Sequence, residues 1–182
     1  FLSAKKIETY RFFLNKLWNA SRFALMNLED APEGLEPEKE NLRLHDQWIL
    51  ARTEKVIEEV TRYLDGYFFG EAARLLYEFI WGEVCDWYLE MAKPALRGEE
   101  GEGRKAATQI VLKRVFHTSL RLLHPFIPFV TEELWRAFDF GEEALDYTSW
   151  PEVDAKFNDA EAIENMAFFQ DLVRSIRNLR VE

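Results

Sequence analysis

Cysteine is nearly missing from this chain: Cys85 is the one example in 182 residues. A single thiol cannot build a disulfide framework, and the scarcity fits a reducing compartment. Glycine and proline are also few, eight and six, and they gather between periodic segments. That distribution points to an all-α fold. Uncharged apolar runs of about 18 residues are absent, which excludes a transmembrane helix. No basic, apolar leader is present either, so a cytoplasmic location is expected. The three histidines, His45, His117 and His124, are scattered, and no metal-ligand spacing, Ser/His/acid grouping or dinucleotide fingerprint occurs. The glycine-rich stretch 97–105, RGEEGEGRK, lacks the spacing and the Lys-Ser/Thr ending of a phosphate-cradling loop. Taken alone, the chain is expected to catalyse nothing and to hold no metal or cofactor.

What is present is enough for one domain with a real core: 48% of the residues are hydrophobic and 31% charged. The densest apolar stretch is 71–94, EAARLLYEFIWGEVCDWYLEMAKP. Its Leu75, Leu76, Tyr77, Phe79, Ile80, Trp81, Val84, Cys85, Trp87, Tyr88, Leu89 and Met91 cover most of a helical wheel, leaving Glu71, Arg74, Glu78 and Gly82 as a narrow polar strip. A helix apolar nearly all round is enclosed by other elements, so this one is expected at the centre of a bundle. Lys93-Pro94 is expected to end it. Cys85, inside this stretch, reads as a core thiol rather than a nucleophile.

A first helix is expected over about Ser3–Asn27, with Ile7, Tyr10, Leu14, Leu17, Trp18 and Leu25 turned inward. On the same wheel Lys5, Phe12, Lys16 and Phe23 fall within about 40° of one another, away from that stripe. Phenyl rings interleaved with ammonium groups suit single-stranded nucleic acid: lysines meet phosphate and a ring stacks on a base. The formal charge of −10 argues against a polyanionic partner, but its distribution does not. Residues 1–28 carry Lys5, Lys6, Arg11, Lys16 and Arg22 against Glu8 alone, whereas 29–43 are acidic. The face presented is what a polyanion meets.

The remaining helices are expected over 44–64, 105–123, 128–138 and from about Asn158 onward, joined by loops at 28–43, 97–105 and 139–157. Along 44–64, Glu54, Lys55, Glu58, Glu59 and Arg62 read as a solvated face. Trp150 is expected to lie against the bundle, and Arg174, Arg177 and Arg180 form a basic edge on the last helix. The whole is read as one all-α domain, a bundle of five or six helices with its core at about 3–140 and a final loop and helix at 141–182. Because it starts at Phe1 and both ends lie close to helical pattern, it reads as a piece of a longer polypeptide.

Three segments in register, KIETYRFFLNKLWNASRF at 6–23, FIWGEVCDWYLEMAKPAL at 79–96 and LRLLHPFIPFVTEELW at 120–135, together resemble a known family. Their order and separation are similar to the α-helical anticodon-binding domain of class I aminoacyl-tRNA synthetases. NKLWNASRF and CDWYLE with Lys93-Pro94 are most similar to the valyl-tRNA synthetase family; the isoleucyl family shares the HPF…EE-W pattern. The resemblance implies a parent enzyme that joins valine to its tRNA with ATP and magnesium, and whose catalytic, editing and coiled-coil domains lie outside this fragment. It implies tRNA, through the anticodon stem-loop, as partner, and no membrane. By position it points to Lys5, Lys16, Arg22 and Phe23 on the first helix and to Leu89 and Glu90 on the central one. On that basis Phe23 stacks on a base, Lys16 and Arg22 hold phosphates or base edges, Glu90 accepts from a base amino group, and Leu89 packs on a base or ribose. The alternatives are an isoleucyl or leucyl counterpart and, from another class, a helical protein-interaction module.

Overall fold

The computed structural model describes residues 4–140 and 144–181, and side chains for 8–140 and 144–179. Seven α segments occur: α1 Ala4–Met26, α2 Leu44–Asp65, α3 Phe69–Glu78, α4 Leu89–Leu96, α5 Glu102–Leu123, α6 Pro128–Phe138 and α7 Ala160–Val181. The chain does not break between α3 and α4, because Phe79–Tyr88 continues as a π-helix. Residues 69–96 are therefore one rod, and the molecule is a bundle of six helices, all-α as expected. Among the described residues no helix is long and apolar enough to cross a membrane.

The rod is central, packing against α1, α2 and α5. Its middle is wound wide, with i→i+5 hydrogen bonding. Phe79 and Val84, and Ile80 and Cys85, are buried pairs five residues apart, beside the four-residue series Leu76, Ile80 and Val84. Tyr88 completes the face, buried, with its hydroxyl donating to Asp46 at 3.1 Å. Burial, and then the Asp46 charge, push that phenol well above its ordinary range. Burial likewise pushes the Cys85 thiol up to about 12, so it is inert at neutral pH, in keeping with a core thiol.

Several expectations are corrected by packing. The stripe that α1 buries is Phe13, Leu17, Ala20, Ser21 and Ala24, while Tyr10 and Trp18 are exposed. The helix is thus turned by roughly a quarter from the phase expected of its large residues. Ala20, Ser21 and Ala24 let its backbone approach the rod and α6, and that close approach decides the phase. The expected cap Ser3, and the side chains of Lys5, Ile7 and Arg180, lie outside the described residues.

Glu54 is not solvated but 1% exposed, accepting from Arg114 at 3.0 Å and from the Asp154 backbone N–H at 2.7 Å. The 144–159 connection covers it, with the Trp150 indole donating to Thr61 Oγ1 at 2.8 Å. Arg104 belongs not to a loop but to the first turn of α5, where it is buried against Asp46 at 2.7 Å. Pro94 does not end the rod, which runs on to Leu96 and turns at Gly98, where φ is +77° and only glycine is unstrained. The cap of α7 is Asp159, one residue later than expected, its carboxylate accepting from the Ala162 N–H at 2.8 Å.

His117 on α5 sits 4.9 Å, centroid to centroid, from both Trp135 and Phe140. Burial, with nearby Arg121 and Arg114, lowers its pKa from 6.5 to about 4. The folded state therefore refuses a proton that the unfolded chain accepts below about pH 6.5. Stability contributed by the neutral ring is complete above that pH and drains away as pH falls toward 4. Urea titrations at pH 7 and pH 4.5 are expected to show His117→Gln losing about 2–3 kcal/mol less than the parent chain across that interval. Equal losses would show that the ring titrates normally.

Candidate nucleic-acid interface

Two helices bring two of the expected site residues, Phe23 and Glu90, to one edge. Phe23, one turn from the end of α1, is half-buried against the core. Its ring faces the Lys93 ammonium of α4, 6.0 Å from the centroid. Lys93 in turn holds both carboxylate oxygens of Glu90 at 2.6 Å. Ring, ammonium and carboxylate thus form one edge, with Glu90 and Lys93 at i, i+3 on the solvent side of α4. Lys93 is thus more than a helix end, and its i, i+3 spacing from Glu90 is the sequence signal for that.

Lys16 is in a different setting from the free face expected of it. Its ammonium lies 2.5 Å from Asp86 and 3.8 Å above the Trp81 ring. Trp81 stacks on Tyr77, with centroids 5.6 Å apart and planes 16° from parallel, and Tyr77 meets Phe13. The lysine therefore caps an aromatic stack that joins α1 to the rod. The partly exposed ion pair is worth under about 1 kcal/mol, so a phosphate can compete for the ammonium. Leu89 needs a correction: at 5% exposure its side chain is part of the core and does not offer a face to a base. The reason is the π segment, which resets the phase of the rod so that Leu89 and Ala92 point in while Glu90 and Lys93 point out.

Phe12 is exposed as expected, but Lys16 and Phe23 lie at the rim of the buried stripe rather than opposite it. Arg22 is exposed and makes no ion pair among the described residues. The outermost line of α1 is instead Arg11, Asn15, Trp18 and Arg22. Among the described residues, no group of three or more His, Cys, Asp or Glu side chains could hold a metal ion.

Residues 46–182 match the family model described as the anticodon-binding domain of tRNA ligase. The chain belongs to that family. The match starts within α2, so α1 lies outside it, but full-length similarity to curated relatives includes α1. The anticodon-binding domain is 47% identical over 181 residues to the valine–tRNA ligase of Latilactobacillus sakei, covering 99% of this chain and 20% of that protein. It is 48% identical over 179 residues to the valine–tRNA ligase of Carboxydothermus hydrogenoformans, covering 98% and 20%. The domain thus spans about a fifth of the length of these relatives. Among solved structures it is similar to the Agrobacterium radiobacter K84 agnB2 LeuRS in its ternary complex with tRNA and LeuAMS. That likeness has a TM-score of 0.60 and 21% identity, over 84% of this chain and 17% of the other, and speaks for the fold.

Proposed function

We propose that this domain reads the anticodon loop of valine tRNA for a valine–tRNA ligase whose ATP- and magnesium-dependent catalytic part, with editing and coiled-coil domains, lies outside these 182 residues. As a translation enzyme it works in the cytoplasm. The observation that carries the reading is the edge formed by Phe23, Lys93 and Glu90, contributed by two helices of a chain similar to valine–tRNA ligases over nearly all its length.

Sequence-specific RNA recognition splays single-stranded bases out, stacks them on aromatic rings and reads their edges. Phe23 supplies a ring whose inner side is braced by the core, so stacking costs little further ordering. Glu90 accepts from an exocyclic amino group such as that of cytosine, while Lys93, now clamped to it, turns toward a phosphate. Arg22, unpaired, meets the backbone, and Lys16 gives up Asp86 to do the same. Lys5, near the start of α1, is carried into the proposal by the sequence and the family resemblance alone. The acidic remainder of the chain limits attachment to RNA at large, leaving a focused basic edge to do the binding.

Filter binding of valine, isoleucine and leucine tRNA transcripts tests this. Valine tRNA is expected to bind tightest, with affinity falling steeply as salt is added. Phe23→Ala is expected to weaken binding by about 1–3 kcal/mol while the circular dichroism melt stays cooperative. Unchanged affinity in Phe23→Ala, or equal binding of the three transcripts, would refute it. An apolar helix docked on this face instead would give binding nearly indifferent to salt.

A further inference from the structure

The outward line of α1 carries an indole that the bundle does not use. Trp18 is 46% exposed and has no ring or cation partner among the described residues. Arg11, seven residues before it, and Arg22, four after, are exposed and without ion pairs there. At helical geometry the three lie within about 40° of one another, Arg11 about 10 Å to one side of the indole and Arg22 about 6 Å to the other. The amides of Asn15 and Asn19 flank the ring from exposed positions.

We infer that Trp18 is a second stacking platform for an RNA base, with Arg11 and Arg22 holding the phosphates on either side of it. The inference rests on the anticodon-loop reading above and extends it. Around the helix, Arg22 falls between Trp18 and Phe23, the two rings being about 140° apart. At a side-chain radius of about 5–6 Å this arc is roughly 12–15 Å. A single strand crossing the C-terminal half of α1 stacks one base on Phe23, lays backbone over Arg22, and stacks another on Trp18. The charge supports RNA as occupant. In a chain of net charge −10, two unpaired guanidinium groups bracket an exposed ring on one line, which fits a polyanion with flat bases and not an apolar protein surface. The line is also continuous with the proposed edge, since Arg22 and Phe23 are adjacent in sequence.

The test uses an RNA hairpin carrying the valine anticodon loop, titrated into the chain and into Trp18→Ala, Trp18→Phe and Phe23→Ala variants. Trp18→Ala is expected to weaken binding about 5- to 150-fold with an unchanged melting temperature, and Trp18→Phe about two- to threefold, because a ring remains. RNA is also expected to quench indole emission in the parent chain more than in Trp18→Phe, the difference being the signal of residue 18. Full affinity in Trp18→Ala together with weakened Phe23→Ala overturns this inference and leaves the anticodon reading standing. Full affinity in both variants removes that reading and the inference with it. If Trp18→Ala lowers the melting temperature, the quenching difference decides, and its absence overturns the proposal.

Discussion

Asp46→Ala is expected to destabilise the chain by about 3–5 kcal/mol in urea unfolding. The Asp46 carboxylate is fully buried and serves three donors from three elements. The Arg43 backbone N–H at the start of α2 donates at 3.0 Å, the Tyr88 hydroxyl at 3.1 Å and Arg104 of α5 at 2.7 Å. Removing it leaves the Arg104 guanidinium buried with only the Asn41 carbonyl and Glu100 for company, and its Nη2 already has no partner. Most of the cost is that stranded charge, not the lost attraction. Arg104→Met is expected to be damaging too, by leaving the buried carboxylate without its cation and with only the Arg43 N–H and the Tyr88 hydroxyl. Asp46→Leu combined with Arg104→Met is expected to recover much of the loss. Single substitutions costing under about 1 kcal/mol would mean that water reaches this cluster.

Glu54→Ala is expected to cost about 2–4 kcal/mol and to act more locally. Glu54 joins Arg114 of α5 to the Asp154 backbone N–H, and so holds the 144–159 connection against α2. Without it, the Asp154 amide has no acceptor and Arg114 keeps the more distant Asp154 carboxylate, at 3.7 Å, and the Phe157 ring, whose centroid is 4.2 Å from its guanidinium carbon. Hydrogen exchange at Asp154 and protease cleavage within 149–157 are expected to rise at denaturant concentrations where the rod is still protected. The Trp150–Thr61 hydrogen bond limits how far the segment opens. Unchanged exchange there would show that the connection is held by its contacts other than Glu54.

The helices themselves were legible because their breaks are. His124-Pro125 and Pro128 set the start of α6, and the acidic, proline-bearing 28–43 set the start of α2. The phase of α1 was not legible, since Tyr10, Phe12, Phe13, Leu14, Leu17, Trp18, Phe23 and Leu25 offer several apolar stripes of similar size. The stripe actually buried contains Ala20, Ser21 and Ala24, whose value is smallness, which a wheel weighted by hydrophobicity does not register. Glu54 and Arg104 were misplaced because charged side chains default to solvent unless a partner from a distant part of the chain is known. At the candidate site, Phe23, Lys16 and Glu90 were found through wording shared with a family, and rings with lysines on a wheel. Their mutual geometry needed Lys93 and the π winding. The buried pairs 79/84 and 80/85 were in the sequence, but a 3.6-residue template has no slot for a spacing of five.

That loosened stretch of the rod has a consequence at its far end. The heading of Glu90 and Lys93 is determined by how many residues are spent between Phe79 and Tyr88, not by anything at the surface where the pair emerges. Losing one residue there would preserve the chemistry of the exposed edge and swing it toward another quadrant. The proposed recognition edge can thus be re-aimed from deep inside the protein, by a change in pitch, while every side chain at the boundary stays the same.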